Sequence, residues 1–205
     1  MSLYSDLHGP GVSASGPPGL VLVTPPAVEP VTLDEAKAYL RVETADEDAL
    51  ITRLIAAARH AAERATGRAF ITQGWRMTLD RWPSSRVIEL PFPPLQSVDT
   101  VVLIDEADAE TVWPAQNTVA DTATEPGRLA LRDGVAPPLP GRDIAGLAVD
   151  FTAGYGVQST DVPEALRQAM IRLVAHWFEH RDEAGPLEVP GEIGALLAPY
   201  RVAQL

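Results

Sequence analysis

Apolar positions along this chain change period twice. Up to Thr66, and again from Val162, they recur every three or four residues, as on a helix face. Between Phe70 and about Tyr155 they alternate, as on a half-buried strand. Thr32-Leu33-Asp34-Glu35 has the form of a capping box and predicts a short helix with Leu33, Ala36 and Leu40 on its apolar side. Thr44-Ala45-Asp46-Glu47 has the same form and predicts a second helix that runs to Thr66 and stops at Gly67. The stripe of this second helix, Leu50, Ile51, Leu54, Ile55, Ala58, Ala61, Ala62 and Ala65, ends in small residues that let another helix approach closely. Its expected partner is a long helix from Val162 to Arg181, with Leu166, Met170, Leu173, Val174, Trp177 and Phe178 on one face. Asp161 is placed to cap that helix, Pro163 sits where a missing N–H costs nothing, and Glu164 adds charge at the positive end. His180 and Arg181 suit its last turn, before Gly185-Pro186. The expected packing core is thus Leu50, Leu54, Ala58 and Ala62 against Leu166, Met170, Leu173, Trp177 and Phe178.

In the alternating region, Trp75, Met77 and Leu79 interleave with Arg76, Thr78 and Asp80. Val87 to Leu90 follows the Pro83-Ser84-Ser85 turn, and Val98 to Ile104 is the most β-prone run of the chain. Thr111 to Trp113 and Arg128 to Leu131 are weaker strands, and Leu147 to Phe151 closes the series. Gly154 and Gly156 supply the turn from there into the long helix. The expected fold is α+β: a helical body of antiparallel long helices (31–69 and 153–182) with an inserted β-rich domain (70–152). An N-terminal arm (1–30) and a C-terminal tail (183–205) extend from it.

Composition narrows the class. A chain of 205 residues that is 46% hydrophobic can form one substantial core, burying roughly 70% of its unfolded surface. With no cysteine there is neither a disulfide nor a thiolate metal site. The first residues lack the basic flank and apolar run of a signal peptide, and no run of 18 apolar residues occurs, so a soluble protein made in the cytoplasm, with no membrane partner, is expected. A net charge of −12 opposes adhesion to phosphate backbones and anionic membranes. Such a charge keeps a protein soluble, and it also suits a conduit through which DNA slides without sticking. The arm, rich in Gly, Pro and Ser, holds one run, Leu20 to Val23, apolar enough to make a short strand, and is expected to order by lying on an assembly or a neighbouring subunit. At the other end Ile193, Leu196, Leu197, Tyr200 and Val202 follow a Gly/Pro linker. That peptide either folds back on its own core or docks in a partner's groove.

Candidate chemistry is sparse. His176-Trp177-Phe178-Glu179-His180 matches H-x-x-E-H, in which two histidines one turn apart bind zinc and the glutamate activates its water. A third ligand would have to come from Glu183, Glu188 or Glu192, and a small zinc-dependent hydrolase using His176, Glu179 and His180 is the alternative function. Asp105-Glu106-Ala107-Asp108 spells a helicase box, yet no G-x-x-x-x-G-K-[ST] accompanies it, so a solvated hairpin turn is expected. A calcium site on Asp105, Asp108 and Glu110 lacks the glycine and final glutamate of an EF-hand. Gly154-Tyr155-Gly156 lacks the third glycine of a dinucleotide loop. Site chemistry alone therefore predicts no enzyme and no cofactor.

Several segments taken in order resemble the head-tail connector (adaptor) family of long-tailed phages and gene transfer agents. They are Val31-Thr32-Leu33-Asp34-Glu35-Ala36-Lys37-Ala38-Tyr39-Leu40-Arg41-Val42, the acidic Asp46-Glu47-Asp48, Ala153-Gly154-Tyr155-Gly156, Val162-Pro163-Glu164-Ala165-Leu166 with the helix after it, and Leu196-Leu197-Ala198-Pro199-Tyr200-Arg201. The resemblance implies a virion structural protein, a homo-oligomeric ring, expected as a dodecamer, at the head-tail junction beneath the portal protein. It implies that the ring extends the channel for double-stranded DNA and receives a tail-side stopper or tail-completion protein. It also casts Ile193, Leu196, Leu197, Tyr200 and Arg201 as the portal-docking set.

Overall fold

The computed structural model describes residues 19–180 and 188–202. Among these the chain is α+β, with four α-helices and two antiparallel sheets. Strand β1 (Gly19–Thr24) leads to helix α1 (Leu33–Leu40) and helix α2 (Asp48–Thr66). Then come β2 (Gln73–Leu79), β3 (Val87–Leu90), β4 (Leu95–Ile104), β5 (Glu110–Trp113), β6 (Thr118–Asp121), β7 (Gly127–Leu131) and β8 (Leu147–Ala153). Helices α3 (Glu164–Glu179) and α4 (Gly191–Leu197) complete the order.

The first capping box forms as its letters dictate. The Glu35 amide donates to Thr32 Oγ1 at 3.2 Å, and the Thr32 amide donates to Glu35 Oε2 at 2.8 Å. The second box does not form: a turn closes between the Asp48 amide and the Ala45 carbonyl, α2 starts at Asp48, and no side chain caps it. Nor does Asp161 cap the long helix. Its carboxylate accepts from the Gln158 amide at 2.8 Å and so closes the 3-10 turn Ser159–Asp161, leaving Pro163 as the residue from which α3 departs. His180 ends α3, and the expected terminus at Arg181, with Gly185-Pro186, lies outside the described residues. Gly67, at φ 71°, ends α2 where expected.

α2 and α3 pack along each other, with α1 and α4 against them, and enclose one apolar cluster. Leu54, Ala58, Ala62, Leu166, Met170, Leu173 and Trp177 are buried in it, while Leu50 and Phe178 are half-buried at its margin. A second cluster lies between the two sheets, whose strand orders are β1-β2-β8-β4-β5 and β3-β7-β6. Register explains the alternation seen in the sequence. Met77 and Leu79 face Val149 and Leu147 and are buried, whereas Arg76 faces Asp150 on the opposite side. There Arg76 Nε donates to Asp150 Oδ1 at 2.7 Å and Thr100 Oγ1 donates to Asp150 Oδ2 at 2.8 Å. Hydrogen bonding from Arg76, against the cost of burial, holds the Asp150 carboxyl below its ordinary range.

The described parts of both terminal segments lie on the chain itself: a strand forms at the expected Leu20 to Val23, and the C-terminal peptide takes the fold-back left open by the sequence. Residues 19–24 of the expected arm form β1, an edge strand paired with β2 of the chain's own sheet, although 1–18 lie outside the described residues. The C-terminal segment is a short helix folded back on the helical cluster. β6 is an element the sequence pattern did not announce, since Val119 is its single large apolar residue and is exposed.

The join between β8 and α3 needs glycine. Gly154 has φ 130°, and a Cβ there would lie 2.6 Å from the backbone of Ile71. Gly154→Ala should lower unfolding free energy by about 1–3 kcal/mol. Gly134→Ala, also at positive φ but with nothing within 4 Å of its Cβ, should cost less in the same urea titration. Equal midpoints for the two variants would show that the close approach to Ile71 has no energetic weight.

Candidate interaction site

After Gly67 turns the chain, Arg68 points into the junction between helices and sheets and is 9% exposed. Its Nη1 donates to Glu125 Oε1 at 2.8 Å, its Nη2 donates to Glu125 Oε2, and its Nε donates to the Tyr200 carbonyl at 2.5 Å. One guanidinium therefore ties the end of α2 to the loop before β7 and to the C-terminal segment. The planar fork matches both carboxylate oxygens, which a lysine cannot do. Hydrogen bonding from Arg68 holds Glu125 below the usual carboxylate range, and burial pushes the nearby Tyr155 hydroxyl above its own.

The C-terminal segment is seated by three further features. Trp177 Nε1 donates to the Glu188 carbonyl at 3.0 Å, and the Val202 amide donates to the Thr66 carbonyl at 2.9 Å. Ile193 and Leu197, 2% and 0% exposed, are buried in the helical cluster. Leu196 and Tyr200 are half-buried against that cluster, and Arg201 is exposed. Of the two readings left open by the sequence, the fold-back on the chain's own core is the arrangement seen. Beside this segment runs a groove of about 860 Å³, floored by Leu20, Met77, Phe92 and Val202 and rimmed by Arg64 and Arg201.

Two more arginines hold the helical elements together. Arg59 occupies the apolar side of α2, one and two turns beyond Ile55 and Ile51, and bonds Glu29 Oε2 at 2.8 Å and Glu63 Oε2 at 2.9 Å. Arg167 on α3 donates to the Pro30 carbonyl at 2.9 Å and pairs with Glu35 and Glu164. Burial opposes the charge of Glu35, but bonds from Thr32 and Arg167 outweigh it and its pKa is lowered. Periodicity could have flagged Arg59, a cation in the stripe of an apolar face. It gave no sign of Arg68, which stands outside any repeat.

The remaining motifs resolve into turns. Asp105 Oδ1 accepts from the Ala107 amide at 2.8 Å and the Ala109 amide at 2.9 Å, so the DEAD letters form a self-capped hairpin turn. In the GYG segment only Gly154 has positive φ; a Cβ on Gly156 would lie 2.1 Å from Asp161 Oδ2. His176 and His180 have ring centroids 4.3 Å apart, with His180 Nδ1 2.7 Å from the His176 carbonyl oxygen. Glu179 is exposed beside them, and so are Glu188 and Glu192, while Glu183 lies outside the described residues. Among the described residues no group of three His, Asp or Glu side chains could hold a metal ion. No helix there is long and apolar enough to cross a membrane.

Removing Arg68 should cost more than a surface pair. Arg68→Ala is expected to lose about 2 kcal/mol at neutral pH, from the unmet Tyr200 carbonyl and the orphaned carboxylate. Glu125, whose side chain is 45% exposed, accounts for the smaller part. Its folded pKa lies below the unfolded value of about 4.5, so its contribution is complete above that value and lost as pH falls through the folded one. The gap between wild type and Arg68→Ala should therefore narrow between pH 5 and pH 3 in urea unfolding; a constant gap would contradict the pairing.

Comparison with known proteins gives this arrangement a context. The model of the head completion protein family matches residues 29–185. No curated protein matches the chain. Among solved structures, a chain from the neck of an empty GTA particle, computed with C6 symmetry, is 30% identical with a TM-score of 0.77, the alignment covering 91% of this chain and 97% of that one. A chain from the virion of a native gene transfer agent is 28% identical with a TM-score of 0.76, covering 91% and 96%. One from the neck of a native GTA particle, computed with C12 symmetry, is 29% identical with a TM-score of 0.68, covering 90% and 97%. A fold shared over nine-tenths of its length with neck components, together with the family match, makes this chain a member of the head completion protein family, the structural proteins of the virion neck.

Proposed function

We propose that the chain is a head-tail adaptor. Twelve copies form a ring between the portal protein and the tail-side stopper or tail-completion protein, and the ring extends the DNA channel of a phage or gene transfer agent. The observation that carries this reading is the 30% identity, over 91% of the chain, to a protein of a GTA neck. Related necks computed with C6 and with C12 symmetry support a ring. The net charge of −12 suits a conduit for DNA, because carboxylates release no counterions from phosphate and give it nothing to bind.

In this reading the C-terminal segment meets the portal. Ile193 and Leu197 fasten it to the helical cluster, which leaves Leu196, Tyr200 and Arg201 as the residues a partner can reach. Truncation after Glu188 would uncover the apolar seat beneath Ile193 and Leu197 and destabilise the whole helical part. Substitution at the accessible edge avoids that. Arg201→Glu, at an exposed side chain, should leave the circular dichroism spectrum and purified yield unchanged. Binding to portal-bearing heads should weaken by at least about tenfold, as loss of an interface hot spot does. The measurement is the fraction of joined particles counted by electron microscopy. Normal joining with Arg201→Glu would defeat the docking role.

A further inference from the structure

Most arginines near the junctions are consumed by carboxylates, as Arg59, Arg68, Arg76 and Arg167 illustrate. The outer face of α2 is different. Arg53, His60 and Arg64 are exposed there, and none of them makes a salt bridge among the described residues. Positions 53, 60 and 64 fall within about 40° of one another around a helix and span about 16 Å of its length. The residues around them are Ala49, Ala56 and Ala57. Both carboxylates of α2 are directed elsewhere. Asp48 pairs with Lys37 at 2.5 Å, and Glu63 accepts from Arg59, the Phe70 amide and Gln73. His60 Nε2 lies 3.1 Å from Arg59 Nη2, so the one nearby partner it has is itself a cation. In a chain of net charge −12, this is a helix face stripped of negative charge.

The complement is on the same chain. Glu43 and Asp46 are exposed at the corner joining α1 to α2 and make no salt bridge among the described residues, with Arg41 the one exposed cation beside them. A ring built head to tail needs two different, mutually complementary patches on every copy. Two α2 faces set against each other would juxtapose arginines, which disfavours a two-fold pairing through this helix.

The geometry points to the outer face of α2 on one copy as the seat for the α1–α2 corner of the next copy in the ring. Alanine flanks allow close approach. Arg53 and Arg64 fix the register by meeting Glu43 and Asp46, with the charges acting at contact range because salt screens them beyond about 8 Å. This inference rests on the ring reading and names the surfaces that close it.

The test uses the full chain in assembling particles. Arg53→Glu with Arg64→Glu should abolish incorporation into necks, and adding Glu43→Arg with Asp46→Arg to the same chain should restore it. A second measurement exploits the absence of cysteine. Glu43→Cys with Arg64→Cys cannot be bridged within one chain by a short bismaleimide, because the intervening helix alone is roughly 24 Å long. A ladder of covalent multimers from assembled necks is therefore expected. Necks that keep their ring on imaging but give neither rescue nor ladder would overturn this interface and leave the ring reading intact. Necks that hold no ring of this chain would sink the ring reading itself. Double reversal that assembles normally but changes DNA retention would assign the stripe to DNA, and so also overturn the contact between copies.

Discussion

Everything in this fold depends on the closure of α2 against α3. α2 delivers the chain to β2, and β8 delivers it back to α3, so packing the two helices brings both ends of the sheet region to one place. Two backbone bonds record the meeting, and a third ties the end of β8 to the start of β4. The Tyr155 amide donates to the Phe70 carbonyl, the Thr72 amide to the Gly156 carbonyl, and the Gly154 amide to the Pro94 carbonyl, each at 2.9 Å. Small side chains along α2 make the approach possible, and Trp177 on α3 fills the space they leave. The C-terminal segment then lies on a surface that exists only once those helices have met.

How much of this was legible follows from which forces are periodic. Burial repeats along a helix or strand, so Leu54, Ala58, Leu166 and Met170 declared their faces, and Met77 and Leu79 declared theirs. Turn chemistry is local, so Gly67 and the Asp105 hairpin could be placed from a few letters. Caps were less secure. Thr44-Ala45-Asp46-Glu47 has the right letters, but the turn closed by the Asp48 amide starts the helix beyond Thr44. Asp161 has the right chemistry, spent one turn early. Long-range pairing left no trace at all. Nothing near Leu20 announces Met77 as its neighbour, and nothing near Arg68 announces Glu125, 57 residues away, or Tyr200, 132 residues away. Membership of the family was visible because several weak segments kept their order, which no single motif would have supplied.

The division of charge explains how one chain can be both a rigid part and a joint. Inside, each arginine at a junction meets carboxylates or carbonyls, because an unpaired charge at low exposure would cost several kcal/mol. Those bonds fix the relation of helices to sheets. The buried side-chain atoms without a partner among the described residues are the indole nitrogens of Trp75, Trp82 and Trp113, donors that serve neither as acid, base nor nucleophile. The unspent charges are on the outside, sorted by sign onto different faces. A surface so sorted discriminates between partners more than it binds them, since like faces repel and unlike faces align. If identical copies assemble in one orientation, as the proposed ring requires, that discrimination is the property the fold has to supply.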